Sequence, residues 1–171
     1  MAGAVLVPKI VGRTAVAERS KSTGRRIERQ WDEESFLAEL AKDRDAREVD
    51  VAKRLLEWGK LRYPKIRWGR GAKRGYFYPM YGPTIFDSSM FGVATYGRLV
   101  IGFVALAEQP PFDSEDLRFE FLRRLHRLVP NSISDHELSA WPSITLADLV
   151  ESNCIDRLLD EFQWVFDQIK R

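Results

Sequence analysis

The chain has 171 residues, of which 44% are apolar and 30% charged, and its net charge is only +2. This length suits a domain that buries its own core, and the single cysteine, Cys154, excludes a disulfide framework within one chain. The longest apolar stretch, residues 99–107, is too short to span a membrane, so we expect a cytoplasmic protein.

Charge is arranged along the chain in blocks of alternating sign. Residues 1–30 carry a net charge of +5, residues 31–57 of −4, residues 58–111 of +6 and residues 112–171 of −5. The blocks fit either an anionic partner or acidic helices that neutralise a basic sheet. Residues 1–30 have little periodicity and are mostly polar after Arg13, which predicts a basic, extended arm that includes Arg25 and Arg26.

Two helices, or one interrupted helix, are predicted between residues 32 and 59. Asp32 is a good N-cap, and Trp31 and Phe36 occupy the two positions of a hydrophobic staple around it. The apolar periodicity falters at residues 43–46 and then resumes, which indicates a break in the helix at that point.

Four strands are predicted next, at residues 66–68, 76–80, 90–96 and 99–106, with the short connections of an antiparallel meander. Residues 69–75 would form the loop of the first hairpin. Pro79 indicates a sheet edge or a strand end, because proline donates no backbone hydrogen bond. Gly92 and Gly102 within predicted strands indicate a bulge or a close contact.

Helices return after the strands. A helix is predicted from Asp113, residues 133–150 are expected to be irregular with one helical turn, and a last helix begins near Ile155. Because helices precede and follow the strands, we expect an α+β fold with a small antiparallel sheet of about four strands and helices packed on one face. Residues 31–171 would form this single domain.

Familiar enzyme motifs do not fit the chain. The glycines of residues 69–75 nearly match a dinucleotide-binding fingerprint, but an aromatic strand follows where that motif needs a helix. With one cysteine the chain has too few soft ligands for a structural zinc site, and a metal site of carboxylates with a histidine stays open. Asp87 and Glu108, near predicted strand ends, are the carboxylates from which a metal-dependent nuclease site could begin. We therefore predict neither a cofactor nor a metal.

Residues 59–86 combine basic, aromatic and glycine residues and contain no Asp or Glu. Alternation along the strand places Tyr76 and Tyr78 on one face and Phe77 in the core. Tyrosines beside a basic loop suit the stacking of unpaired bases and the binding of phosphates, and glycines let a backbone approach a ligand closely. The predicted nucleic-acid-binding residues are Arg67, Trp68, Arg70, Lys73, Arg74, Tyr76 and Tyr78, with Arg25 and Arg26 from the arm.

Two other functions stay open at this point. The same aromatic side chains could pack in the core or form a contact with another protein or a second copy, which alternating charge blocks would favour. A hydrolase that holds a metal through carboxylates is the third possibility. The sequence favours a non-catalytic module that binds nucleic acid, single strands above all.

The segments Trp68-Gly69-Arg70-Gly71, Gly75 to Pro79, Thr95-Tyr96-Gly97-Arg98 and Pro110-Pro111-Phe112 together resemble a pattern from a family of bacterial proteins of uncharacterised activity. Residues 141–146 and the helix with Trp164 fit the same pattern. The resemblance covers residues 31–171. It implies a small α+β module of the kind met near restriction and defence systems, and hence an association with nucleic acid.

Overall fold

The computed structural model describes residues 29–81, 89–130, 132–133, 138 and 140–171. Two helices open this part of the chain, α1 (Glu33–Asp43) and α2 (Ala46–Arg62). Asp32 caps α1 by accepting a hydrogen bond from the Ser35 backbone N–H, and the Ser35 hydroxyl accepts one from the Asp32 backbone N–H. The predicted N-cap and the predicted break between the two helices are both confirmed.

Five strands form one antiparallel sheet in the order β1-β2-β3-β4-β5. The strands are β1 (Lys65–Trp68), β2 (Tyr76–Met80), β3 (Phe91–Ala94), β4 (Arg98–Ile101) and β5 (Ser143–Thr145). Between β4 and β5 the chain forms α3 (Phe103–Ala107) and α4 (Glu115–Leu128). After β5 it forms α5 (Leu146–Glu151) and α6 (Ile155–Ile169). The predicted α+β class is confirmed, with one strand more than the four expected.

Two predicted elements differ from the structure. The strand expected at residues 99–106 ends at Ile101, because residues 103–107 form α3 with Gly102 as its N-cap. A Cβ atom on Gly102 would collide with the Ser89 carbonyl oxygen and the Trp141 ring. The segment expected to be irregular supplies β5, whose Ile144 pairs with Leu99. Three residues are too short to give a strand pattern in the sequence, so only the pairing with β4 defines this strand.

Pro79 lies within β2, which pairs with β1 on one side and β3 on the other. The pairing with β3 is confined to Tyr76 and Phe77 and stops before Pro79. Gly69 N–H donates to the Tyr76 carbonyl, so residue 79, three positions on, directs its backbone nitrogen away from β1. The proline therefore costs no hydrogen bond in a ladder.

The helices cover one face of the sheet. Side chains at alternate strand positions enter the core on that face, among them Phe77, Val93 and Leu99, which are fully buried. Phe91 of β3 stacks against Phe162 of α6, with ring centroids 4.7 Å apart. A single cluster of buried side chains runs from Trp31 to Phe166 and joins the helices to this face.

The opposite face of the sheet, called the outer face below, carries the side chains of Arg67, Tyr76, Tyr78, Arg98 and Val100. Cross-strand partners such as Arg67 and Tyr78 lie on the same face, because paired residues project to the same side of a sheet. Within the described ranges, none of the helices combines the length and the apolar character that a bilayer span requires.

Candidate nucleic-acid interface

Two tyrosines of β2 lie side by side on the outer face. The rings of Tyr76 and Tyr78 are within 9° of parallel, with centroids 5.9 Å apart, and both side chains are half-buried. Phe77 between them is fully buried, so the predicted alternation is confirmed. The Tyr78 ring lies across Gly92 of β3, where a Cβ atom would collide with it. The glycine thus provides the predicted close contact.

Tyr96, in the turn between β3 and β4, completes the aromatic surface. Its hydroxyl is 2.6 Å from that of Tyr76, and the two rings meet edge to face at 82°. The guanidinium carbon of Arg74 lies 5.2 Å from the centre of the Tyr96 ring, within the range of a cation–π contact. Sequence reasoning missed Tyr96, because the register between β2 and β3 decides which face its turn adjoins.

Arg98 and Trp141 also belong to this surface and were not predicted. Arg98 lies opposite Ala94 on β3 and Thr145 on β5, is exposed, and donates from Nη1 to the Ser143 hydroxyl at 3.3 Å. Trp141 lies two residues before β5. The sequence contained a signal for Arg98. Successive side chains of a strand point to opposite faces, so the neighbour of the buried Leu99 lies on the outer face.

Basic residues of β1 border the tyrosines. Lys65 pairs with Met80 and Arg67 with Tyr78, so both project to the outer face, and both are exposed. No Asp or Glu occurs in any of the five strands that the structure describes. The outer face of these strands therefore carries positive charge from Lys65, Arg67 and Arg98, in addition to Arg74 from the loop.

Two other basic residues of the predicted window are engaged elsewhere. Lys60 pairs with Glu33 and Glu57, each at 2.7 Å, and these carboxylates raise the pKa of its ammonium group. Arg62 lies over the Trp58 ring and donates to the Gln163 side chain. Both belong to α2 and its contacts, so the density of charge in the sequence overstates the charge available on the outer face.

The glycine-rich loop of residues 69–75 packs on Trp31. The indole N–H of Trp31 donates to the Gly71 carbonyl at 2.6 Å, and its backbone N–H donates to the Gly69 carbonyl at 3.1 Å. A Cβ atom on Gly75 would lie 2.6 Å from the Trp31 ring. At Gly75 the glycine serves an internal contact, whereas the sequence suggested close approach to a ligand.

The remaining predicted residues of the loop and of β1 do not lie together on one surface. Arg70 donates from Nε to the Gln30 side chain at 3.1 Å, and Lys73 is exposed at the loop tip. Trp68 pairs with Phe77 and projects to the helix-covered face, where it contacts the rings of Phe36 and Phe77. Trp68 therefore does not share a surface with Tyr76 and Tyr78, contrary to its predicted place beside them. Arg25 and Arg26 lie outside the described residues.

The hydroxyls of Tyr76 and Tyr78 are neutral hydrogen-bonding groups over the physiological range. Burial, with the nearby Tyr96 as a lesser cause, raises the pKa of Tyr78 to about 12. Burial and the hydrogen bond with Tyr96 raise the pKa of Tyr76 further. These phenols can donate and accept hydrogen bonds, but neither is poised to act as an acid or a base near neutral pH.

Of the two carboxylates considered for a nuclease site, Glu108 alone lies in the described part of the chain. Glu108 is exposed at the end of α3 and does not lie at a strand end, because β4 stops seven residues earlier. Asp87 is outside the described residues. No three His, Cys, Asp or Glu side chains of the described ranges cluster so that they could hold a metal ion.

The comparison with known proteins assigns the chain to no family. No family model matches the chain, and no curated protein and no solved structure gives a significant match. The resemblance to a bacterial family stays a prediction.

Proposed function

We propose that the protein is a non-catalytic module that binds single-stranded nucleic acid on the outer face of its sheet. The observation that carries the proposal is the group of three tyrosines on this face, Tyr76, Tyr78 and Tyr96, with arginines at its border. Bases in a single strand can stack on such rings, whereas paired bases in a duplex keep their faces covered.

Charge supports the same proposal. Phosphates dominate the affinity of proteins for nucleic acid, and each phosphate that a cation neutralises makes binding weaker in salt. Arg74 lies near the tyrosines because its guanidinium group contacts the Tyr96 ring. Arg98 lies near them because the register of β4 pairs it with Ala94 of β3. With no acidic residue in the described strands, nothing on those strands opposes the approach of a phosphate chain.

The first experiment is fluorescence anisotropy with labelled single-stranded DNA, single-stranded RNA and duplex DNA of equal length over a salt series. We expect single strands to bind more tightly than the duplex and binding to weaken as salt rises. Failure of every oligonucleotide to bind at low salt would end the proposal.

Matched variants separate stacking from charge. Tyr78→Ala is expected to weaken single-strand binding about 5- to 150-fold, since stacking on an aromatic ring contributes about 1–3 kcal/mol per base. Tyr81→Ala, one residue after the far end of β2, is the control and should bind as the unchanged protein does. Tyr81 contacts Phe166 and the Tyr63 ring, away from the outer face.

For charge, the double variant Arg74→Gln, Arg98→Gln should make the slope of log affinity against log salt shallower by about 0.7 for each phosphate that is no longer neutralised. The control removes two charges from α4, Arg123→Gln and Arg127→Gln, whose side chains are 68% and 66% exposed. Equal slopes in the two double variants would show that net charge alone governs binding, against the proposal.

A contact with another protein or a second copy is the second candidate. Leu61, in the last turn of α2, is 80% exposed, which is high for a large apolar side chain. Light scattering tests this function. A stable dimer that Leu61→Glu dissociates, in a protein indifferent to oligonucleotides, would select protein contact in place of nucleic acid.

A further inference from the structure

A pocket lies on the outer face between the tyrosines and Trp141. Its volume is about 310 Å³, and its walls are Tyr76, Tyr78, Tyr96, Val100 and Trp141. This size is at the lower end of the range for small-molecule sites, so it suits one planar group better than a segment of chain.

Strand β3 presents almost no side chain on the outer face. Gly92 and Ala94 stand between the tyrosines of β2 and Val100 of β4, and this lets the Tyr78 ring lie across Gly92 towards Val100. Trp141 closes one side, and its ring lies over Gly102, where a Cβ atom would come within 2.9 Å of it. The side chains that line the pocket are therefore all aromatic or branched.

The pocket also offers a directed polar group. The hydroxyls of Tyr76 and Tyr96 are 2.6 Å apart, so one donates to the other. The second hydroxyl keeps its own hydrogen, which remains for an acceptor on a guest. Burial raises the pKa of Tyr76, so its hydroxyl stays protonated at neutral pH.

Cations stand at two places near the rim. Arg74 lies over the ring of Tyr96, 5.2 Å from its centre. Arg98 pairs with Ala94 and Thr145 and is bonded to Ser143, so it lies on the β5 side of the β2 tyrosines. A planar guest that carries a phosphate on each side fits this arrangement, and a nucleotide within a strand has that form.

Building on the proposed function, we infer that this pocket holds one unstacked nucleobase of the bound strand, with the flanking phosphates directed to Arg74 and Arg98. The base would lie against the aromatic walls and accept a hydrogen bond from the hydroxyl pair. The pocket would then supply an affinity that depends on the base, while the arginines supply one that depends on the phosphates.

The experiment compares oligothymidylate with an abasic strand of equal length, which has the same phosphates and no bases. The unchanged protein should bind oligothymidylate at least tenfold more tightly. Val100→Leu, which adds one carbon to a pocket wall, should reduce this preference about 5-fold or more and leave the salt slope unaltered. Val104→Leu, at a half-buried valine of α3, is the control.

A second variant tests the hydroxyl pair without filling the pocket. Tyr96→Phe should weaken oligothymidylate binding about 2- to 12-fold, the range for one neutral hydrogen bond, and should not affect the abasic strand. Tyr81→Phe is the matched control, because Tyr81 and Tyr96 are both 37% exposed. Circular dichroism verifies that each variant is folded. Thymidine monophosphate should compete at least tenfold more weakly than the strand.

The outcomes separate the two proposals. If the unchanged protein binds both strands equally, or if Val100→Leu and Tyr96→Phe keep the full preference for oligothymidylate, the pocket holds no base and this inference fails. Binding of a single strand would still stand in that case. If thymidine monophosphate competes as well as the strand, the site takes a free nucleotide and the inference also fails. Absence of binding to either strand ends both proposals.

Discussion

Gly75→Ala should destabilise the protein, because the added methyl group meets Trp31. The new Cβ atom would lie 2.6 to 2.9 Å from three atoms of the indole. The ring cannot move away easily, since it is 1% exposed and its N–H is bonded to the Gly71 carbonyl. Overpacking of this kind costs about 1–3 kcal/mol. Gly69→Ala, whose Cβ would have no neighbour closer than 3.3 Å, is the control.

Urea unfolding followed by far-ultraviolet circular dichroism measures this cost as a fall in midpoint of about 1 M. A second measurement in a Trp31→Leu background tests the cause. If the indole is what the methyl group meets, Gly75→Ala costs much less once the ring has been removed, and the two changes are strongly coupled.

The result also bears on function. A glycine present so that a ligand can approach would give the opposite pattern, with weaker oligonucleotide binding and an unaltered midpoint after Gly75→Ala. An equal cost in both backgrounds would refute the contact with Trp31 as the reason for the glycine.

Three further outcomes are expected. The unfolded chain ionises its tyrosines near pH 10, while burial raises the pKa of Tyr78 to about 12. The stability linked to this group is therefore complete below pH 10 and is lost as pH rises towards 12, and Tyr78→Phe should remove a step near pH 12 from the phenolate absorbance titration. Cys154 is fully buried and burial raises the pKa of its thiol, so a thiol reagent should label it only in denaturant, and rapid labelling of the folded protein would contradict its placement. Gly92→Ala should push the Tyr78 ring off β3 and lower both stability and single-strand binding, whereas unchanged binding would show that the ring position is irrelevant.

Local signals in the sequence were sufficient for several elements. Asp32 and Ser35 satisfy the first backbone N–H groups of α1 through contacts three residues apart, so the helix start is readable without any tertiary information. The apolar spacing of α6 and the alternation around Phe77 are equally local. Fold class followed from the order of such elements along the chain.

The sequence predicted only part of the candidate site, because its signals are local. Tyr76 and Tyr78 share a face by alternation within one strand, whereas Trp68 has its place set by pairing with Phe77 across a loop. The glycines of that loop suggested a ligand, and the partner of Gly75 proved to be Trp31, more than forty residues earlier in the chain. No pattern in the loop itself identifies that partner.

By itself the sequence determined helices α1, α2, α4 and α6, four of the strands, the fold class and the concentration of basic and aromatic residues in one window, because each depends on spacing along the chain. The tertiary structure alone decided which of those residues meet. It placed Tyr96, Arg98 and Trp141 beside the β2 tyrosines and assigned Lys60 and Arg62 to the helices. The physical reason is that strand register and long-range packing join residues far apart in sequence, and no local pattern encodes that choice.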